Sequence, residues 1–440
     1  MMLKVDVEAV DSLRRRLAIE VPAETVATEI DKAFAELARA AKVPGFRPGR
    51  VPRAVLERMF GDRVRAEVFG RLIQDSYAEA IEEQRIAAVG QPEIVTEQTE
   101  AGAALRYRAT VEVKPEVTVE GYAGLNVERP IAAVTDADVT AALQRLQHAL
   151  AQLRPLTDRT QIEPGDVVTL DYEARMNGRL MSRGEGREVE LGANRFPSGF
   201  DAHLLGATAG AQLDFEITYP AEDEAPELAG KTMQFHVNVR AISTKELPPL
   251  DDEFAKDHGE CSTLEELRQR LRHQLEQEAA QRADEAVRRA VLTALVEAHD
   301  IPVPNAMVQR RTEALVEEVL HDWQRQRGRL KDDSQARAHL RKELEPRAHE
   351  QVKIALLLEA IARQEGIDVR DDEVEARVEA LTAAAGAAAE RVRAFYQQAE
   401  ARRQLRTQMV QARAVDFVIS RAHVRDVPAS SNVADLTETG

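Results

Sequence analysis

The sequence predicts a multidomain α+β protein: a small α+β module first, a β-rich module in the middle and a large all-α region last. Three observations carry this. At 440 residues the chain is too long for one ordinary core. Its hydrophobic spacing changes twice, first to Gly- and Pro-punctuated alternation over 162–243 and then to long helical stripes from Leu247 onward. Ala, Leu, Arg and Glu dominate, which favours helices, and aromatic residues make up only 4%.

The first module opens with two short strands within residues 3–20. Leu3, Val5 and Val7 alternate, and Leu13, Leu17 and Ile19 follow Asp11-Ser12. Pro22 starts a helix marked by Val26, Ile30, Phe34 and Leu37, and Pro44 ends it. Val64, Val68, Leu72 and Ile81 mark a longer helix to about Ala88, with Gly90 and Pro92 as its stop. Ile94-Val95 and the alternating Tyr107, Ala109, Val111 and Val113 are strands. Periodicity is sparse from Pro115 to Pro130. A helix over 136–154 then carries Val139, Leu143, Leu146, Leu150 and Leu153 on one face, up to Pro155.

Over 162–243 short alternating runs (Val167/Leu170/Tyr172, Val189/Leu191, Leu213/Phe215/Ile217/Tyr219, Phe235/Val237/Val239) lie between glycine-bearing turns. Asn177-Gly178 is a hairpin signal, and a short helix is expected near Asp201–Leu205. Beyond Leu247 the helical stripes resume. Ser262 reads as an N-cap with Glu265 three residues on. Further helices cover about 333–364, with Pro346 as a candidate kink, then 371–381 and 387–424.

Between the first two helices lies Gly45-Phe46-Arg47-Pro48-Gly49-Arg50-Val51-Pro52. Two glycines and three prolines between Pro44 and Pro52 rule out a helix or central strand. Lys42 to Arg65 holds seven basic residues against Glu57 and Asp62, a local +5 on a chain of net charge −17. On charge alone the stretch fits either a docking element for an anionic partner or a solvated turn. The acidic balance excludes a general nucleic-acid binder.

Other chemistry is absent from the pattern. A single cysteine, Cys261, excludes an internal disulfide and any multi-cysteine zinc site, and its acidic neighbour Glu260 disfavours a thiolate. There is no His-Glu-x-x-His pair and no Gly-x-Ser-x-Gly elbow. Gly230-Lys231-Thr232 looks like the end of a phosphate loop, but Ala225 stands where its first glycine belongs, after Glu222-Asp223-Glu224. The start has no apolar signal core. No window approaches ~18 uninterrupted apolar residues, so no membrane helix is expected and the cytoplasm is the expected compartment.

The order of these parts is diagnostic. Gly45-Phe46-Arg47-x-Gly49-x-x-Pro52 resembles the ribosome-docking signature of the bacterial trigger factors, ribosome-associated chaperones, and the resemblance spans nearly the whole chain. It implies that Gly45, Phe46, Arg47, Gly49, Arg50 and Pro52 form the docking site on the large ribosomal subunit near the tunnel exit. Where family members commonly carry a lysine after the arginine, this chain has Pro48, and Arg50 and Arg53 are expected to compensate.

The β-rich segment resembles an FKBP-like peptidyl-prolyl isomerase, through Val168-Thr169-Leu170-Asp171-Tyr172, Asn194-Arg195-Phe196-Pro197-Ser198-Gly199-Phe200-Asp201 and Gly230-Lys231-Thr232-Met233-Gln234-Phe235. The implied catalytic residues are Tyr172, Phe196, Phe200 and Phe235. An apolar aromatic cleft suits this chemistry because the twisted amide has lost resonance. Met181, Pro197 and Asp223 depart from the usual cleft residues, and weak turnover is expected.

The resemblance implies an ATP-independent chaperone for nascent or unfolded polypeptides, with no cofactor, no metal, no membrane or DNA partner, and a homodimer as an alternative state off the ribosome. It divides the chain into a docking domain 1–114, a linker and connecting helix 115–157, an isomerase domain 158–245, a helical chaperone domain 246–428 and a flexible tail 429–440. Two other readings remain: a soluble prolyl isomerase with helical appendages, and a non-catalytic ribosome-bound or self-associating scaffold.

Overall fold

A computed structural model describes residues 3–41, 43, 44, 46, 51–98, 102–157, 159–192, 196–220, 230–257, 261–327 and 334–428. The chain divides into two compact units, one built from Met1–Pro130 and Asp284–Val427 and one from Ile131–Ala283.

The first unit opens with β1 (Lys4–Ala9) and β2 (Arg14–Val21), an antiparallel pair. Their turn is held by Asp11, whose Oδ1 accepts the N–H groups of Leu13 and Arg14 at 2.8 and 2.7 Å. Helices α1 (Ala23–Ala40) and α2 (Arg53–Glu83) follow, then β3 (Ala88–Gln98) and β4 (Leu105–Val113). The sheet order is β1-β2-β4-β3. Strand β4 alternates strictly, burying Leu105, Tyr107, Ala109, Val111 and Val113 against Val26 and Phe34 of α1 and Leu56, Val64, Val68 and Leu72 of α2. One face of this sheet is therefore a two-helix-covered core.

Helix α2 ends earlier than the periodicity suggests. Gln84 is its C-cap and Arg85 turns left-handed at φ 52°. Ile86 N–H donates to Ile81 O and Arg85 N–H to Glu82 O, each at 3.1 Å. This is a Schellman closure in which the apolar pair Ile81/Ile86 joins the core. Gly90 and Pro92, expected to stop a helix, lie inside β3. They are tolerated because β3 is an edge strand whose register shifts between Val89 and Glu93. Strand β5 (Asn126–Ile131) follows a segment that carries little periodicity.

The second unit begins with α3 (Asp136–Ala149), capped by Thr135 and Asp138 in a reciprocal capping box. The expected helix to residue 154 is overturned. The chain leaves α3 after Ala149 and forms β6 (Gln152–Pro155), which pairs with a later strand, so Leu150 and Leu153 are exposed. The helical stripe stops at Leu146. There follow β7 (Val167–Met176), β8 (Arg179–Glu190), α4 (Phe200–Leu204), β9 (Gln212–Thr218) and β10 (Thr232–Glu246). The sheet runs β6-β10-β7-β8, with β9 also on β10. Asn177 (φ 51°) and Gly178 (φ 79°) make the two-residue β7–β8 turn in the left-handed conformation that such hairpins need. Helix α5 (Asp252–Asp257) and the start of α6 (Leu264–Ala298) give Phe254, Ala255 and Leu267 as the bed on which Leu143 and Leu146 of α3 pack. The cap of α6 is one residue later than expected: Thr263 Oγ1 accepts Glu266 N–H at 3.2 Å.

The rest of the chain returns to the first unit. Beyond α6 come α7 (Asn305–Arg327), α8 (Ser334–Glu365), α9 (Asp371–Ala384), a 3₁₀ turn, α10 (Ala389–Phe395), α11 (Ala399–Arg421) and β11 (His423–Pro428). Helix α8 runs through Pro346. Strand β11 falls partly where a helix to 424 was expected, and it pairs with β5. Val287, Val291, Leu295, Leu357, Ile361, Val415 and Val418 form one core, into which the segment before β5 inserts Val117 and Val119, and β5 itself Val127. No described helix is long and apolar enough to cross a membrane.

Candidate functional site

The loop between α1 and α2 is anchored at both ends by valines. Val43 and Val51 are buried in the first core, and Phe46 between them is 39% exposed. Phe46 N–H donates to Val43 O at 3.1 Å. Pro52 is the N-cap of α2, and its carbonyl accepts Val55 and Leu56 N–H at 3.0 and 3.3 Å. Gly45, Arg47, Pro48, Gly49 and Arg50 lie outside the described residues. Arg53, expected to act as a compensating charge, is paired within the chain. Its guanidinium pairs with Asp31 at 2.6 Å and Glu57 at 2.7 Å and lies over the Phe34 ring. The Glu57 and Asp31 carboxylates hold its proton more firmly than usual. Arg58 and Arg63, both exposed, have no ion-pair partner among the described residues.

The four aromatic residues picked out in the β-rich segment come together. Phe196 stacks on Phe200 at 4.1 Å between centroids, Tyr172 meets Phe196 edge-on at 5.2 Å, and Phe200 meets Phe235 edge-on at 5.2 Å. They are not equally accessible. Phe200 and Phe235 are buried, whereas Tyr172 and Phe196 are half-buried. A bound prolyl ring would find surface on the latter two, with the former two as a floor.

Two members of this wall were not picked out from the sequence. Phe215 lies opposite Phe235 in the β9–β10 register, stacks on it at 5.6 Å and touches Phe200 at 5.4 Å. His203 stacks on Phe215 at 4.4 Å. The alternation Leu213/Phe215/Ile217 already put Phe215 on the same strand face as the buried Ile217. His203 had no local signal, because a single exposed histidine on a five-residue helix points nowhere by spacing. Met181 is exposed, Pro197 is half-buried and its carbonyl accepts Phe200 N–H at 3.0 Å. Asn194, Arg195 and Asp223 lie outside the described residues.

The strands behind these rings are braced by charge. Arg240 is the extra residue of a bulge in β10, and its Nε donates to Asp171 Oδ2 at 2.6 Å. Asp171 Oδ1 accepts Gly186 N–H at 2.7 Å. The Gly186 N–H, aided by Arg240, holds the Asp171 carboxyl below its usual range. No proton need be exchanged with a substrate in this chemistry. What the wall can do is shield a prolyl amide from water and favour its twisted form, whose barrier in water is ~18–20 kcal/mol.

Three family models match in order: the bacterial trigger factor protein over residues 3–146, the FKBP-type peptidyl-prolyl cis-trans isomerase over 158–240, and the bacterial trigger factor C-terminus over 263–420. A trigger factor of Geobacter sp. (strain M21) is 35% identical over 430 residues, covering 97% of this chain and 99% of the relative. One of Moorella thermoacetica is 38% identical over 386 residues, 86% of each. A solved structure of the trigger factor chaperone covers 95% of this chain and 99% of its own at 21% identity, with a TM-score of 0.48. Matched from end to end by relatives that share more than a third of its residues, the chain belongs to the bacterial trigger factor family.

Proposed function

We infer that this chain is a ribosome-associated molecular chaperone with a peptidyl-prolyl isomerase domain, and that the Phe46 loop is its foot on the large ribosomal subunit near the tunnel exit. It shelters newly made polypeptides there without ATP, in the cytoplasm, and isomerises X-Pro bonds at the Tyr172–Phe196 wall. In this reading 1–114 docks, 158–245 isomerises and 246–428 holds clients.

The observation that carries the docking assignment is an exposed phenylalanine between two buried valines. An apolar ring costs less in a partner's crevice than in water, and Val43 and Val51 keep the loop from folding it away. The surrounding net +5 suits RNA phosphate. Phe46→Ala with Arg47→Ala is expected to abolish co-sedimentation with ribosomes while circular dichroism stays unchanged. Pelleting at the wild-type level would overturn the assignment. Suppression of aggregation of a denatured client without ATP, retained in the same double variant, separates a chaperone from a passive scaffold.

A further inference from the structure

Tyr172 and Gly184 face each other across the β7–β8 ladder. A methyl group placed on Gly184 would come within 2.4 Å of Tyr172 Cε1, 2.9 Å of Arg187 Cγ and 3.1 Å of Tyr172 Cδ1. The tyrosine ring therefore lies directly against the glycine backbone. Gly184 is not in the left-handed region, so its backbone conformation does not require glycine; the ring above it does. The far end of the same ring is held too, with Tyr172 Oη 3.1 Å from Ser182 Oγ.

The strand beyond Gly184 is fixed independently. Leu170 pairs with Arg187 and Tyr172 with Gly184, so β8 carries one extra residue opposite Asp171. That bulge is pinned by the Asp171 bond to Gly186 N–H and, through Arg240, to the bulge in β10. Strand β8 cannot yield easily to a side chain at 184, so the Tyr172 ring, the nearest group met, would have to move, together with the exposed Arg187 side chain. Its direction of movement is away from β8, which changes the edge-on contact with Phe196.

We propose that Gly184 and Ser182 are positioning residues of the isomerase: the bare backbone at 184 and the hydroxyl at 182 set where the Tyr172 ring stands against Phe196. This rests on the reading of Tyr172 as a wall of the prolyl cleft. A wall that favours the twisted amide must sit at a fixed distance from it, and displacements near 1 Å are enough to cost rate.

The test uses the full chain, a short proline peptide, and the variants Gly184→Ala, Ser182→Ala, Tyr172→Leu and Tyr172→Phe, with Gly184→Ala also combined with Tyr172→Leu and Ser182→Ala with Tyr172→Phe. Tyr172→Leu is expected to slow turnover. Gly184→Ala is expected to lower kcat about tenfold with a smaller change in KM. With fluorotyrosine incorporated, it also shifts the Tyr172 resonance among the six tyrosines. In the Tyr172→Leu background Gly184→Ala adds no further loss. A full tenfold loss in that background, or an unmoved Tyr172 resonance, overturns the proposal. If Tyr172→Leu turns over at the wild-type rate, the cleft reading falls and the proposal with it; if it is slow and Gly184→Ala is not, only the proposal falls. Should Gly184→Ala fail to fold, Ser182→Ala decides: a loss of about threefold that disappears in a Tyr172→Phe background supports positioning, and wild-type kinetics overturn it.

Discussion

The side-chain amide of Gln364 pairs with the main chain of Val119 as a neighbouring strand would. Its Oε1 accepts Val119 N–H at 3.0 Å and its Nε2 donates to Val119 O at 3.2 Å. Around it Arg363 donates to Val117 O at 3.2 Å, Tyr122 bonds Glu365, and His299 Nε2 lies 2.8 Å from Glu120 O. The last turn of α8 thus supplies the hydrogen bonds that an extended segment would otherwise take from a sheet. The buried valines at 117 and 119 need this, since burying their backbone unpaired would cost about 1–3 kcal/mol per group.

Gln364→Ala is expected to release this segment locally. Amide exchange at Val119 should speed up about tenfold or more, with exchange in β4 unchanged. Unaltered protection at Val119 would show that the valine packing alone holds the strand.

Tyr77 Oη is buried with no hydrogen-bond partner among the described residues, and burial pushes its hydroxyl up. Its neighbour Tyr107 is satisfied, with Oη 2.7 Å from Ser76 Oγ and 3.2 Å from Ile73 O. Tyr77→Phe should therefore stabilise the first unit by about 1 kcal/mol, whereas Tyr107→Phe should destabilise it. Denaturant midpoints that move in the same direction for both would contradict this.

Glu373 caps α9 through Arg370 N–H at 2.9 Å and pairs with Arg413 at 2.5 Å. The Arg413 bond, then the Arg370 N–H, lowers its carboxyl from the ordinary 4.5 to about 2. A depressed carboxyl contributes stability that is complete above pH 4.5 and is lost as pH falls towards about 2. Glu373→Gln should lower Tm at pH 7, and the gap from wild type should narrow across that acid window. A gap independent of pH would assign the stabilisation to packing.

Arg53 already pairs with Asp31 and Glu57. Arg53→Ala should leave the salt dependence of ribosome binding unchanged, while Arg58→Ala and Arg63→Ala report whether those free guanidinium groups touch RNA. Each arginine that neutralises a phosphate adds about one unit to the log–log salt slope, so its replacement by alanine lowers the slope by that amount. A reduced slope for Arg53→Ala would mean that docking breaks its two ion pairs.

Much of the fold was legible from spacing. The strict alternation of 105–113 is a strand buried on one face, and Asn177-Gly178 makes the turn its dipeptide suggests. The misses share a cause. Leu150 and Leu153 continue a helical stripe on paper, but β10 offers an open edge to 152–155 and the strand wins. Likewise 117–120 carries little periodicity because its polar partners are side chains of α8 and His299, just past α6, not its own neighbours. Ile86 closes α2 on Ile81, a contact five residues apart that reads as more helix until the left-handed Arg85 is seen.

The candidate cleft divides in the same way. Tyr172, Phe196, Phe200 and Phe235 were readable through the three runs that carry the resemblance, Phe196 and Phe200 from the same one. Their unequal exposure, the addition of Phe215 and His203, and the fit of Tyr172 against Gly184 were not. By itself the sequence determined the order of the modules and the aromatic-tipped basic loop, because these rest on local composition and spacing, and its motifs carried the resemblance to the family. Only the tertiary structure decided which rings keep open surface, which arginines are paired and where the segment before β5 is latched. Those depend on cross-strand register and on ion pairs between residues far apart in the chain, where burial and partner geometry set the energy and linear spacing does not.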